Sequence, residues 1–253
     1  MMSRYRCDLH IHSCLSPCGD DDMTPGNIVG MSQLNGLQIV ALTDHNSTKN
    51  CPSFYKIAKQ NGLIPIAGME LTTSEDVHAV CLFRDLESAM DFGDFVGKRR
   101  FLIKNEPEIF GKQLIIDEND EVCGEEENLL INAADISLED AFFEVLNRGG
   151  VCYPAHIDRS SNGIISMLGD FPPDPCFTAF ELNDISALEG CLEKFPVLSQ
   201  RKLVHVVSSD AHYLTDISEE GFTIEIDDEP YSSDAVRNYL IDYLLGKKAK
   251  KGL

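Results

Sequence analysis

The chain has 253 residues, 43% of them hydrophobic and 25% charged, a composition that supports a buried core and excludes wholesale disorder. Forty-two acidic against 21 basic residues leave a net charge of −21; such a surface repels phosphate backbones and argues against an extended nucleic-acid partner, although bound cations can reverse the field at one local site. No apolar run approaches the ~18 residues of a membrane span, the polar start shows no signal peptide, and nine scattered cysteines do not make a disulfide framework, so a cytoplasmic protein with reduced thiols and no membrane partner is expected.

Tyr5 to Ile11 reads as a strand. Thr24-Pro25 then opens a helix, Thr24 as N-cap and Pro25 at the first helical position, which closes near Gly36. Leu37 to Thr43 is a continuous apolar run of the buried parallel-strand type. A helix over roughly Pro52 to Gln60 ends at Gly62, and strands follow at Leu63 to Met69 and Val77 to Phe83. Residues 84–137 break this rhythm with a basic cluster, Lys98-Arg99-Arg100, a hairpin around Glu118-Asn119-Asp120 and an acidic run, Glu125 to Glu127. They read as an insertion or cap on a main domain formed by residues 1–83 and 138–253. A helix begins near Ser137 and ends at Gly149-Gly150. Strands follow at Val151 to Pro154, Thr178 to Leu182, Leu203 to Ser208 and Phe222 to Ile226, then a helix over Ser233 to Leu245 and a lysine-rich tail, Lys247 to Lys251. Strands alternating with helices over this length predict a parallel α/β fold, barrel or open sheet, with its ligands gathered at the carboxyl ends of the strands.

Those ends are where the histidines sit. The first strand ends His10-Ile11-His12, and alternation points residues two apart to one side, so both imidazoles can reach one ion. Others end Asp44-His45, Gly68-Met69-Glu70, Pro154-Ala155-His156 and Asp210-Ala211-His212, while His78 lies in the fourth strand. A lone histidine beside a strand is most often a hydrogen-bonded structural residue; five strand ends converging on His, Asp and Glu are not explained that way. Imidazole with carboxylate and no obligatory thiolate suits Zn, Mn or Fe in a hydrolytic centre, and the number of ligands implies two or three ions.

Taken together, DLHIHS at Asp8 to Ser13, TDHN at Asp44-His45, GME at Glu70, VHAV at His78, PAHIDR at His156 and SSDAH at Asp210-His212 resemble the polymerase and histidinol phosphatase (PHP) family of metal-dependent phosphoesterases. The resemblance implies a distorted (β/α)7 TIM-like barrel. It implies one ion on His10, His12, Glu70 and Asp210, a second sharing Glu70 with His78 and His156, and a third on His45, His212 and an aspartate. That aspartate is Asp20 counting back from Thr24-Pro25, with Asp21 and Asp22 as alternatives. Glu70, Asp210 and His212 would then be catalytic, with Arg159 on the substrate phosphate, since a guanidinium suits bidentate phosphate binding. Asp44 would orient an imidazole without binding metal.

Other features weigh less. Cys14 and Cys18 flank the metal loop, but no second cysteine pair of zinc-binding spacing follows. His205, inside a strand, reads as structural; Lys98-Arg99-Arg100 reads as a solvated helix end or a grip on a second phosphate; Glu181, at the end of a late strand, reads as backing a metal ligand or as lining the pocket. The function expected is hydrolysis of a small phosphorylated metabolite, nucleotide-type phosphates first. The alternatives are a 3'-5' exonuclease or oligonucleotide hydrolase, a histidinol-phosphate phosphatase, and a non-catalytic metal-binding module.

Overall fold

The central strands are apolar on both faces, and residue parity decides which of two cores each side chain enters. The computed structural model describes residues 2–219, 221–227 and 231–247; beyond Lys247, the lysine-rich tail lies outside the described residues. Ten strands are formed there: β1 Met2–Asp8, β2 Ile39–Leu42, β3 Ile64–Thr72, β4 His78–Leu82, β5 Leu114–Ile116, β6 Val122–Glu125, β7 Val151–Pro154, β8 Ala179–Leu182, β9 Val204–Val207 and β10 Phe222–Asp227. Six of them join in the order β10-β1-β2-β3-β4-β7, while β5-β6 and β8-β9 pair separately. The result is a mixed α/β fold whose main sheet curls into a half-barrel. A single parallel bridge, Ile11 to Ala211, and the bond from Ile157 N–H to Glu181 O at 2.9 Å tie the sheet ends to the β8-β9 pair.

The alternation of elements predicts a parallel sheet, but the sheet is mixed. β1, β2 and β3 run parallel, but β4 is antiparallel to β3 and β7, and β10 to β1. The reason is chain length. Only residues 73–77 link β3 to β4, enough for a hairpin and far short of the dozen or so residues a parallel crossover requires. β1 also ends at Asp8 rather than Ile11, so His10 and His12 sit in irregular backbone held by Thr43 N–H to Ile11 O and His12 N–H to Ala211 O.

On the concave face, Cys7, Leu9, Ile39, Ala41, Ile64, Ile66, Val80 and Tyr153 make an inner core, closed by Val236, Leu240 and Leu244 of the helix Ser233–Leu244. On the convex face, Val40, Leu42, Met69, Cys81 and Phe180 pack beneath the surrounding helices. At roughly 1.5–3 kcal/mol per fully buried large apolar side chain, these two layers are the main favourable term in folding. The helix starts follow local chemistry: Thr24 accepts from Asn27 N–H, with Pro25 next, and Ser137 accepts from Asp140 N–H.

Within residues 84–137, a helix over Leu86–Gly97, capped by Asp85, buries Ala89, Phe92 and Val96 in the outer layer. The β5-β6 hairpin then reaches back over the first loop. At its tip Asp120 accepts from Thr24 Oγ1 and Gly26 N–H, both at 2.7 Å. At its base Leu114 and Ile116 pack on Cys14. Among the described residues no helix is long and apolar enough to cross a membrane.

Candidate metal centre

Parity places the polar side chains as it places the core. Glu70 continues the inward series Ile64, Ile66, Gly68; His45 continues Ile39, Ala41, Thr43; Glu181 follows Ala179; and His78 shares the face of Val80 and Leu82. His78 lies at the beginning of its strand because β4 is reversed: it pairs with Thr72, so its amino end meets the carboxyl end of β3.

Glu70, 1% exposed, is the hub. Its Oε2 lies 3.4 Å from His10 Nε2, 3.2 Å from His12 Nε2 and 3.0 Å from His45 Nδ1. Its Oε1 lies 2.7 Å from His78 Nδ1 and 3.1 Å from His156 Nε2. Asp210 Oδ1 stands 3.1 Å from His12 Nε2 and 3.4 Å from His10 Nε2. His156 and Asp210 both take left-handed backbone, at φ 27° and 50°, conformations of the sort retained at sites whose surroundings over-determine them.

These contacts fit cations better than they fit one another. The Nε2 atoms of His10 and His12 face each other at 3.1 Å, and Nδ1 of His45 and of His78, although close to Glu70, has no aligned hydrogen-bond partner. Three groups of ligand atoms lie within 4.8 Å of one another: His10, His12, Glu70 and Asp210; His45, Glu70 and His78; and His12, His45 and His212. Asp20 is in none of them. Its N–H bonds His212 O at 2.9 Å, which keeps it beside the cluster, but its carboxylate accepts from Asp22 N–H at 2.9 Å.

Around this set, acceptors fix the imidazoles. Glu181 Oε1 lies 2.9 Å from His10 Nδ1 and accepts from His156 N–H at 3.2 Å. Ser16 Oγ, donating to Asp44 Oδ1 at 2.8 Å, is the acceptor for His12 Nδ1 at 2.9 Å and for His45 N–H at 3.1 Å. The Asp210 carbonyl lies 2.7 Å from His212 Nδ1. Each partner calls for a proton on Nδ1 and so leaves Nε2 free to bind a cation. Asp44 therefore acts on His12 through a serine, and sequence reasoning has no signal for Ser16 beyond its place in the loop.

Electrostatics follow from burial. Burial alone lowers an imidazole, but the Glu181, Asp210 and Glu70 charges outweigh it at His10 and hold it well above its ordinary range. At His45 burial prevails and pushes the imidazole well down; at His212 it brings the value to about 4. Burial raises the Asp8 and Asp44 carboxyls, against the hydrogen bonds that lower them.

Arg159, at the rim, is 42% exposed and puts Nη1 2.6 Å from Asp210 Oδ2. It lines a crevice of about 70 Å3 together with His45, Glu70, His78, His156 and His212. Cys14 is buried under the hairpin and Cys18 is exposed; neither belongs to a ligand group. His205 lies within β9, where it is exposed and belongs to no ligand group.

With this geometry established, comparison with known proteins is direct. The profile of the PHP domain matches residues 8–136, just over half of the chain. The chain belongs to the PHP family. Within it, DNA polymerase III PolC-type of Thermotoga maritima is 37% identical over 90 residues, which is 35% of this chain and only 6% of the polymerase. A protein of Bifidobacterium adolescentis assigned as a metal-dependent phosphoesterase matches in fold at TM-score 0.60 and 17% identity, over 94% of this chain and 96% of that one. The lesion-specific endonuclease Q of Pyrococcus furiosus matches at TM-score 0.55 and 18% identity, over 84% of this chain and 49% of its own. An endonuclease Q complex with a 27-mer duplex, an abasic lesion at its active site, matches at TM-score 0.54, 18% identity, and 84% and 50% coverage. PHP membership and the donor set together point to divalent cations as the ligands of the cluster.

Proposed function

We propose that this PHP-family chain is a metal-dependent phosphoesterase that releases phosphate from a small phosphorylated metabolite, with nucleotide-type monoesters favoured. The observation that carries the reading is the convergence of five imidazoles on the Glu70 carboxylate beside Asp210. We assign His10, His12, Glu70 and Asp210 to one cation, Glu70 with His78 and His156 to a second, and His45 and His212, with Asp20 at the edge, to a third. Divalent cations there would activate water and neutralise phosphate oxygens. Glu181, Ser16 and the Asp210 carbonyl hold imidazole orientation, and Arg159 turns from Asp210 to a phosphate oxygen. We read β1–β4 and β7–β9 as a distorted seven-stranded barrel and residues 84–137 as its cap.

The test is phosphate release by Mn-reconstituted protein over a panel of histidinol phosphate, nucleoside mono- and bisphosphates and short oligonucleotides. Loss of a cation's several kcal/mol of charge stabilisation in Asp210→Ala should cost at least about 100-fold in kcat/KM. Failure to release phosphate from any compound by the metal-loaded protein refutes the reading. A second reading, oligonucleotide hydrolysis, is favoured by the basic run Lys98 to Arg100 beside Phe101, which is 57% exposed. It requires activity that falls steeply with salt on oligonucleotides but not on mononucleotides.

A further inference from the structure

Arg159 reaches the metal centre from the loop after β7, and with 42% of its side chain exposed it is not aimed by packing. The loop is tied down on both sides of it. Arg159 N–H closes a turn onto His156 O at 2.9 Å, and Asn162 O accepts from His78 N–H at 2.8 Å. Asp158 crosses to the end of the neighbouring strand, where its carboxylate accepts from Asn183 N–H at 2.9 Å and from Asp184 N–H at 3.0 Å. Asn183 returns the contact: its Oδ1 accepts from Arg159 Nη2 at 3.3 Å. Two adjacent residues after β7 thus clasp two adjacent residues after β8, and the guanidinium is one of the fastenings.

The partners of Arg159 differ in charge. Nη1 lies 2.6 Å from Asp210 Oδ2, an anion that competes with any phosphate for the same cation. Asn183 offers a neutral acceptor, which holds Nη2 without cancelling the guanidinium charge. Released from Asp210 and lacking Asn183, a long exposed side chain would recover its rotamer freedom and would have to be ordered again by the phosphate alone. With Nη2 kept on Asn183, the guanidinium can turn Nη1 from the carboxylate to a phosphate oxygen in the crevice that Arg159 lines with Glu70, His156 and His212. Asn183 follows β8 directly, two residues beyond Glu181, so one strand end supplies the carboxylate that holds His10 and the amide that holds Arg159.

We propose that Asn183 is a positioning residue for phosphate binding, the fixed point about which Arg159 turns from Asp210 to the substrate, with Asp158 setting where that point lies. The proposal rests on the phosphoesterase reading and its placement of Arg159.

Steady-state kinetics of the Mn-loaded protein on its best phosphate monoester tests it. Asn183 is exposed, and Asn183→Ala leaves the backbone bond to Asp158 in place, so the variant loses one side-chain contact rather than the fold. It should raise KM about 3–10-fold, the worth of one exposed hydrogen bond to a charged group, with kcat within about twofold, since the contact serves bound substrate and transition state alike. In an Arg159→Ala background the same substitution should change KM by less than about twofold, because Asn183 acts only through the arginine. Asn183→Asp keeps the acceptor but adds a charge that competes with phosphate for the guanidinium, so KM should rise again, whereas a merely structural bond would be strengthened. A wild-type KM in either Asn183 variant, or a rise of the same size without Arg159, overturns the proposal. If no ester is hydrolysed, the phosphoesterase reading fails by itself. The pivot is then decided by calorimetric titration of inorganic phosphate into the metal-loaded protein, where affinity should fall about 3–10-fold in Asn183→Ala and, when the two substitutions are combined, no further than in Arg159→Ala. An isotherm unchanged by Asn183→Ala, or no phosphate binding by the wild type, overturns it.

Discussion

Glu181 offers the sharpest test of how the imidazoles are held. One of its oxygens serves both His10 Nδ1 and His156 N–H, at 2.9 and 3.2 Å, while the other has no partner. Glu181→Gln can keep both bonds by turning its amide oxygen to them, and loses the largest of the three charges that make His10 basic. Replacing an outer partner of a ligating histidine weakens metal binding by about 10–100-fold, which is about 1.4–2.8 kcal/mol. Glu181→Ala removes the acceptor and orphans two buried donors at about 1–3 kcal/mol each, so it should also lower stability by about 2–6 kcal/mol. Competition against a chromophoric chelator, with elemental analysis of the dialysed protein, measures the first effect; denaturant unfolding of metal-free protein measures the second. If Glu181→Gln binds metal within twofold of wild type and Glu181→Ala unfolds at the same denaturant concentration, the assignment of Glu181 as the positioning residue is wrong.

Three further outcomes are expected. Asp44→Asn should destabilise by about 1.5–3 kcal/mol, because Ser13 Oγ, which donates to Asp44 at 2.7 Å and already accepts from Asn50 and Leu15, would face an NH2 group; an unshifted melting curve contradicts this. Gly111 has φ 96°, and an added Cβ would meet the Pro17 carbonyl oxygen. Gly111→Ala should therefore loosen the hairpin from the first loop and speed proteolysis within residues 105–125, and wild-type protease resistance would count against it. Removal of metal by chelator should lower the melting temperature, since a cation at 100 times its Kd adds about 2.7 kcal/mol; equal melting with and without chelator would mean that the cluster does not bind metal in the folded chain.

Most of the cluster is legible because strand alternation is local. Glu70 and His45 fall on the parity of the apolar residues before them, and His10 and His12, two apart, still meet although β1 has ended at Asp8. The reversal of β4 is legible too, in the five residues after Thr72, but the alternating pattern hides it and makes His78 look misplaced in its strand. The helix Leu86–Gly97 has apolar residues at 86, 89, 92 and 96, a helical spacing obscured by its glycines and its place in an irregular segment. The supports were readable only in part. Glu181 stands out at a strand end, but its partner His10 lies 171 positions away, and Ser16, 28 positions from Asp44, is a loop hydroxyl that carries no mark of the partner that folding gives it.

The bridge between Ile11 and Ala211 also sets the order of events in the life of the chain. His12 and Asp210, 198 positions apart, meet only when that bridge forms. At roughly 5–20 residues per second of synthesis, the last ligands emerge about 10–40 s after the first. A nascent chain of residues 8–136 carries His10, His12, His45, Glu70 and His78 but lacks His156, Asp210 and His212. Such non-local closure is slow, and until it is complete the early histidines would offer only part of the proposed donor set. Under the proposed metal assignment, full cation uptake would mark the end of folding, and a chain stalled before its last third would stay inert rather than become a half-built hydrolase.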